Sequence, residues 1–176
     1  RVMQNIIISK AGISRYQELH QQVVGTLVAE FGIRPYPKVG ETFELTLDGD
    51  AAENQPLEMV RRAGYDPTNW RHNGPTVTGR QTRRFKLDVA GYCPNLAAVQ
   101  EKLKPRGKTE GQWILAFKAA FPQPDGQGPL GVADPSWVSP RGRALFPGVA
   151  YDGRLCLRWA SYGRDGDWRW LVPVSE

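Results

Sequence analysis

The amino-acid sequence predicts a single α+β domain over 1–176, in which helices pack on one face of an antiparallel sheet of about five strands. Three observations favour this fold: alternating stretches joined by Asp-Gly pairs, strongly amphipathic helical stretches, and many glycines and prolines. A chain of this length can bury roughly 70% of its unfolded surface in one core. The 19 Gly and 14 Pro place much of the chain in turns, which argues against a helical bundle.

The C-terminal third predicts a three-stranded β-meander. Alternating stretches at 146–151, 154–162 and 168–174 are separated by Asp152-Gly153 and Asp165-Gly166. Asp-Gly between alternating stretches is the strongest short-range signal for an antiparallel hairpin. We therefore expect the last three strands of the sheet to be neighbours.

Four of the six tryptophans fall in this third of the chain. Alternation places Trp159, Trp168 and Trp170 on faces that pack, as large aromatic side chains in small domains usually do. Trp137 is the exception, because it lies on a proline-bounded loop, where we expect it to be exposed.

Helical spacing of apolar residues predicts helices at 14–31, 95–104 and 110–121. The third helix follows Thr109 and Gln112, whose spacing is that of a capping box. Asn95 is the expected cap of the helix before it.

Shorter elements complete the predicted fold. Strands are predicted at 41–47 and 83–89, and a two-turn helix between Pro56 and Gly64. Residues 1–12 are expected to form a loose N-terminal arm. The long proline-rich connection 122–143 is the first place to look for a site, because ordered loops of this length are often functional.

Several classes of protein are disfavoured by the sequence. No apolar run approaches the roughly 20 residues of a membrane-spanning helix. Cys93 and Cys156 lack partners at metal-ligand spacing, so we expect two reduced thiols in a soluble cytoplasmic protein. The chain begins at Arg1 rather than Met, as a shortened or processed chain would.

Two motifs resemble cofactor or metal sites without the context that either chemistry needs. The stretch 126–131 matches G-x-G-x-x-G, yet it follows a helix end and contains proline, whereas dinucleotide binding needs a strand before it and a helix after it. A calcium loop starting at Asp48 would need Asp or Asn at Ala52 and Glu at Met59. We therefore expect neither a cofactor nor a metal site.

Positive charge is concentrated in one segment. Residues 80–108 hold eight basic side chains against two acidic ones, a net charge of +6 in a chain whose total is +5. Clustered charge of this kind suits phosphate contacts, although no known nucleic-acid module is present. A solvated face explains the same pattern.

The sequence favours a non-enzymatic binding domain with a protein or polyanion (nucleic acid) partner. We expect the basic surface 80–108 and the loop 122–143 to contact that partner. The predicted binding residues are Arg84, Lys86, Lys104, Arg106 and Trp137.

The alternative is a hydrolase with its site under loop 122–143. His72 lies in a turn-rich loop and suits a general acid or base, alone or with Cys93 or with Ser136 and Asp134. Asp125 and Asp134 could instead act as a carboxylate pair. This alternative requires a pocket lined by at least two of His72, Asp125, Asp134 and Trp137.

Overall fold

The computed structural model describes residues 34–174 and five earlier residues: Arg15, Glu18, Leu19, Gln22 and Val23. Those five are helical, while the rest of the predicted helix 14–31 and the predicted arm 1–12 lie outside the described residues. The chain divides into two compact units, Arg1–Pro35 and Tyr36–Glu176. The prediction of one domain over 1–176 therefore stays a prediction.

The second unit is a mixed α/β structure. Its helices are α1 (Pro56–Arg62), α2 (Leu96–Leu103) and α3 (Trp113–Ala120). Its strands are β1 (Thr42–Asp48), β2 (Arg71–His72), β3 (Arg80–Val89), β4 (Leu130–Gly131), β5 (Trp137–Val138), β6 (Ala144–Val149), β7 (Leu155–Trp159) and β8 (Arg169–Pro173).

Within the described residues, all eight strands join one sheet in the order β1-β3-β8-β4-β6-β5-β2, with β7 paired to β6. The pair β4–β8 is parallel and the other strand pairs are antiparallel. The prediction of about five antiparallel strands is therefore only roughly matched. The three short strands β2, β4 and β5 lie in turn-rich segments where no sustained alternation marks them.

The predicted meander is confirmed for its first hairpin and wrong for its last strand. Strands β6 and β7 pair antiparallel across the turn at Asp152-Gly153, but β8 lies between β3 and β4. Close packing at Gly131 in β4 accompanies this arrangement. A Cβ atom at Gly131 would lie 2.9 Å from the ring of Trp170 and 3.1 Å from that of Trp168. Only a glycine lets the two indoles cross β4 so closely.

Helices cover both faces of the sheet, which corrects the prediction that they pack on one. Helix α3 packs in a cluster with Leu145 of β6 and Leu171 of β8. Helix α2 packs in a second cluster with Phe146 and Trp170, the residues adjacent to these on the same strands. Since neighbouring residues of a strand face opposite sides, the two helices lie on opposite faces. Asn95 caps α2 as predicted, its side chain accepting the Ala98 N–H at 2.9 Å.

Candidate binding cleft

A cavity of about 680 Å³ lies between α2, the segment 107–110 and the loop 133–136. Apolar side chains form much of its lining: Pro75, Ala97, Leu103, Ala133, Pro135, Leu171 and Val172. Its size and mainly apolar lining are those of ligand sites in proteins. The cleft lies where the basic segment 80–108 meets the long loop 122–143.

Asp134 holds one wall of the cleft together. The residue is only 8% exposed, and its carboxylate accepts the Gly111 N–H at 2.7 Å and the Ser136 N–H at 3.2 Å. The Ser136 hydroxyl donates to the same carboxylate. Because Gly111 lies just before α3, Asp134 also places negative charge at the helix end that favours it.

The capping box predicted from Thr109 and Gln112 is wrong, because Asp134 satisfies this helix end from a distant part of the chain. The Gln112 side chain instead accepts the Val77 N–H at 2.7 Å and donates to the Asn54 carbonyl at 2.7 Å. Gln112 therefore links the backbone at Val77 to the backbone at Asn54. Nothing in the local pattern around residue 110 predicts a cap that comes from position 134.

Three of the residues proposed for a hydrolase, His72, Asp134 and Ser136, lie close together. The His72 ring meets the Trp137 indole edge-on at 4.5 Å between ring centres, and His72 is near enough to Asp134 to feel its charge. Burial lowers the pKa of His72, and Asp134 offsets this only in part. Its Nε2 atom is buried without a hydrogen-bond partner in the described structure. The Ser136 hydroxyl donates to Asp134, so its proton is directed to the carboxylate and away from a histidine base.

The other hydrolase residues lie elsewhere. Asp125 forms two hydrogen bonds with Arg169, at 2.5 and 2.9 Å, and Arg169 is almost fully buried. Burial would raise the pKa of Asp125, but the hydrogen bonds from Arg169 and Gln127 and the charge of Arg169 lower it below its ordinary value. These two hydrogen bonds indicate that the pair stabilises the fold and does not act in catalysis. The hydrolase alternative requires at least two of His72, Asp125, Asp134 and Trp137 around its pocket, and only Asp134 of these lines the cleft.

The prediction that Trp137 is exposed is wrong. Trp137 is fully buried, and its indole N–H donates to the Pro56 carbonyl at 2.9 Å. The backbone of Gly111 packs directly on its ring, where a Cβ atom would lie 2.3 Å away. Pairing with His72 in the two-residue strands β2 and β5 places it in the core.

Most of the positive charge in segment 80–108 is offset by neighbours. Three ion pairs hold basic side chains of the segment: Arg83 with Glu110 at 3.0 Å, Lys104 with Glu101 at 3.6 Å, and Arg106 with Asp88 at 2.9 Å. Lys102 donates to the carbonyls of Ala90 and Tyr92 at 2.8 and 3.0 Å.

Cross-strand neighbours offset further charges on the solvent face. Arg84 of β3 lies directly opposite Glu44 of β1, and Arg80 lies opposite Asp48. Side chains in such register positions are close enough to interact. In the described residues, Lys86 lies opposite Thr42 instead, and Lys108 has no carboxylate partner.

The carboxylates that line the cleft are already bonded. Glu110 pairs with Arg83, Asp134 accepts three hydrogen bonds, and Glu101 faces Lys104. Lys104 and Glu101 are both 74% exposed, so their pairing is weak. The rim of the cleft therefore presents Lys108, which has no carboxylate partner in the described residues, beside the weakly paired Lys104 and Glu101.

Sequence reasoning missed much of the cleft lining. Ala97 and Gln100 lie on a helix surface that no sequence motif marks, and the Gln100 side chain donates to the Ala133 carbonyl at 2.9 Å.

Within the described residues, no group of three or more His, Cys, Asp or Glu side chains could hold a metal ion. None of the described helices has the length and apolar character needed to cross a membrane. No family model, curated protein or solved structure matches the chain.

Proposed function

We propose that the protein is a non-enzymatic binding domain that takes a segment of a protein partner in the cleft between α2 and loop 133–136. One observation carries the proposal: the cleft combines an apolar lining with a lysine, Lys108, that lacks a carboxylate partner in the described structure, while Glu110 and Asp134 are bonded and Glu101 is weakly paired. A partner segment that places an apolar side chain beside a carboxylate fits this arrangement.

A polyanion is the less favoured partner of the same surface. Most of the basic side chains of 80–108 are paired with acids, opposed by them or bonded to carbonyls, so few are available for phosphates. Of the five predicted binding residues, Lys104 lines the cleft, Arg106 is paired, Arg84 faces an acid and Trp137 is buried. Lys86 is partly exposed and lies opposite Thr42. A cytoplasmic location stays a prediction from the sequence.

The hydrolase alternative rests on the closeness of His72, Asp134 and Ser136 at one wall of the cleft. The orientation of the Ser136 hydroxyl toward Asp134 favours a structural role for all three. Hydrolysis of a p-nitrophenyl ester that Ser136→Ala abolishes would replace the binding proposal with this alternative.

Panning a displayed library of random heptapeptides tests the binding proposal. Enriched peptides are expected to combine Asp or Glu with an apolar side chain. Fluorescence polarisation then compares one enriched peptide with variants. Ala97→Trp fills the cleft from an exposed position and should abolish binding, whereas Ala119→Trp, exposed on the opposite helix α3, should not. Lys108→Glu should weaken binding about tenfold, or about 1.4 kcal/mol.

Two results would overturn the proposal. One is an enriched peptide that binds Ala97→Trp as tightly as the natural sequence. The other is retention on heparin that falls steeply with salt and falls further when Arg84, Lys86, Lys104 and Arg106 are changed to Ala, which would identify a polyanion partner instead.

A further inference from the structure

A second basic region lies in the stretch 139–164, outside the segment that the sequence singles out. It contains five arginines, Arg141, Arg143, Arg154, Arg158 and Arg164, and no lysine. Its one acidic residue, Asp152, pairs with Arg154 at 2.6 Å. In the described structure, none of the other four arginines forms an ion pair with a carboxylate.

Two of these arginines are presented by a tight turn between β5 and β6. The Ser139 N–H donates to the Arg143 carbonyl at 2.9 Å, and the Gly142 N–H donates to the Ser139 carbonyl at 2.8 Å. Gly142 has a φ of +76°, which its missing side chain permits. The turn leaves the side chains of Arg141 and Arg143 exposed.

Aromatic side chains adjoin the same turn. The Arg143 guanidinium lies over the Trp159 ring, 5.0 Å from its centre. Tyr162 is 56% exposed, and its ring centre lies 6.4 Å from that of Trp159. A cavity of about 410 Å³ opens between Arg143, Ala144, Ser161 and Tyr162. None of these residues lines the cleft beside α2.

We infer that this arginine–aromatic surface, formed by Arg141, Arg143, Trp159 and Tyr162, binds single-stranded nucleic acid. Guanidinium groups bind phosphate through two parallel hydrogen bonds, and they stack on aromatic faces. An exposed aromatic ring gives an unpaired base a face to stack on, which a duplex cannot use because its bases are already stacked. Arg141 and Arg143, which have no carboxylate partner in the described structure, can therefore bind phosphates, while the exposed Tyr162 ring beside the cavity can stack on a base.

Fluorescence anisotropy with the full chain tests this inference. The probes are fluorescein-labelled oligo-dT and oligo-rU of about 12 nucleotides, within the usual span of such sites. Arg141→Ala/Arg143→Ala should weaken binding about tenfold and reduce the slope of log affinity against log salt by about 1.4, as expected for two lost phosphate contacts on a single strand. Tyr162→Ala should weaken binding at least about fivefold without changing that slope, and Tyr162→Phe should bind normally.

The matched control is Arg84→Ala/Lys86→Ala, which removes the same charge from β3. It should reduce affinity by less than about threefold, since local contacts rather than net charge carry the binding. Equal losses in the two double variants would overturn the inference. Equal affinity for a duplex of the same length, or for poly-glutamate, would also overturn it, and so would no binding of either oligonucleotide at about 50 mM salt.

Discussion

The two basic regions of this protein hold their charges in different ways. In segment 80–108, carboxylates lie beside or opposite most basic side chains, as in the pairs Arg83–Glu110 and Arg106–Asp88. In the stretch 139–164, aromatic rings or backbone carbonyls take that place for Arg143 and Arg164. Arg143 lies over Trp159, and Arg164 lies over Phe146 at 4.8 Å from the ring centre.

The difference shows that a count of charges along the chain does not predict which charges are available. The acids that offset segment 80–108 include Glu44 and Asp48 of β1 and Glu110, all outside that window. Pairing of β1 with β3 brings the two strand acids into register with Arg84 and Arg80. The stretch 139–164 has a lower net charge but more arginines free of acids.

The largest effect that the comparison predicts is on Arg164. This side chain is 7% exposed, and its guanidinium donates to the carbonyls of Gly163, at 2.6 Å, and Trp159. Burial lowers its pKa. Arg164→Ala removes these bonds and the stacking on Phe146, and should lower the free energy of unfolding by about 3 kcal/mol.

Urea unfolding measures this change, and Arg158→Ala is the matched control. Arg158 is exposed and lies in the same stretch, so its removal should change the free energy of unfolding by less than about 0.5 kcal/mol. Similar losses for both variants would show that the contacts of Arg164 with rings and carbonyls stabilise the fold no more than those of the exposed Arg158.

The contrast between local pattern and long-range contacts also explains which elements of the fold the sequence predicts. Periodicity finds β1, β3 and α2 to within a few residues, because each buries one face against the core. It also finds α3, although the first five residues of that helix are all buried. It misses strands β2, β4 and β5, which are two residues long and carry no measurable alternation.

Long-range contacts set what periodicity cannot show. The sequence suggests that Asp134 and Ser136 could lie near His72. It does not show that Asp134 accepts a hydrogen bond from Gly111 at the start of α3. The Asp-Gly pair at 165–166 predicts a hairpin, but β8 leaves β7 and pairs with β3 instead. In both cases the partner lies tens of residues away, and local pattern carries no information about it.

A second prediction concerns the positive charges of β3 that the acids of β1 offset. Glu44→Gln/Asp48→Asn leaves Arg84 and Arg80 without facing carboxylates, so affinity for heparin should rise by about threefold, the scale of an exposed pair. The salt concentration at which the protein leaves a heparin column measures the change. Asp50→Asn/Glu53→Gln alters net charge equally at exposed positions outside β1, and should give a smaller rise. An equal rise would mean that net charge, rather than local pairing, governs the surface.

The smallest effect concerns the pair Arg106–Asp88. Burial would raise the pKa of Asp88, but hydrogen bonds from Arg106 and the Val89 N–H, with the charges of Arg106 and Lys86, lower it. The folded state therefore holds the Asp88 proton less tightly than the unfolded chain does. The pair contributes stability above the ordinary Asp pKa of about 3.9 and loses it as the pH falls through the lower folded-state value.

Arg106→Gln should accordingly lower the free energy of unfolding by less than about 1 kcal/mol at neutral pH, since half of the Arg106 side chain is exposed. The deficit should shrink as urea unfolding is repeated at pH values that decrease below about 3.9. Arg71→Gln, at an exposed arginine without an ion pair in the described residues, should show no such trend. A deficit for Arg106→Gln that is constant with pH would mean that the side chain acts through packing, and segment 80–108 would then hold this arginine as the stretch 139–164 holds its own.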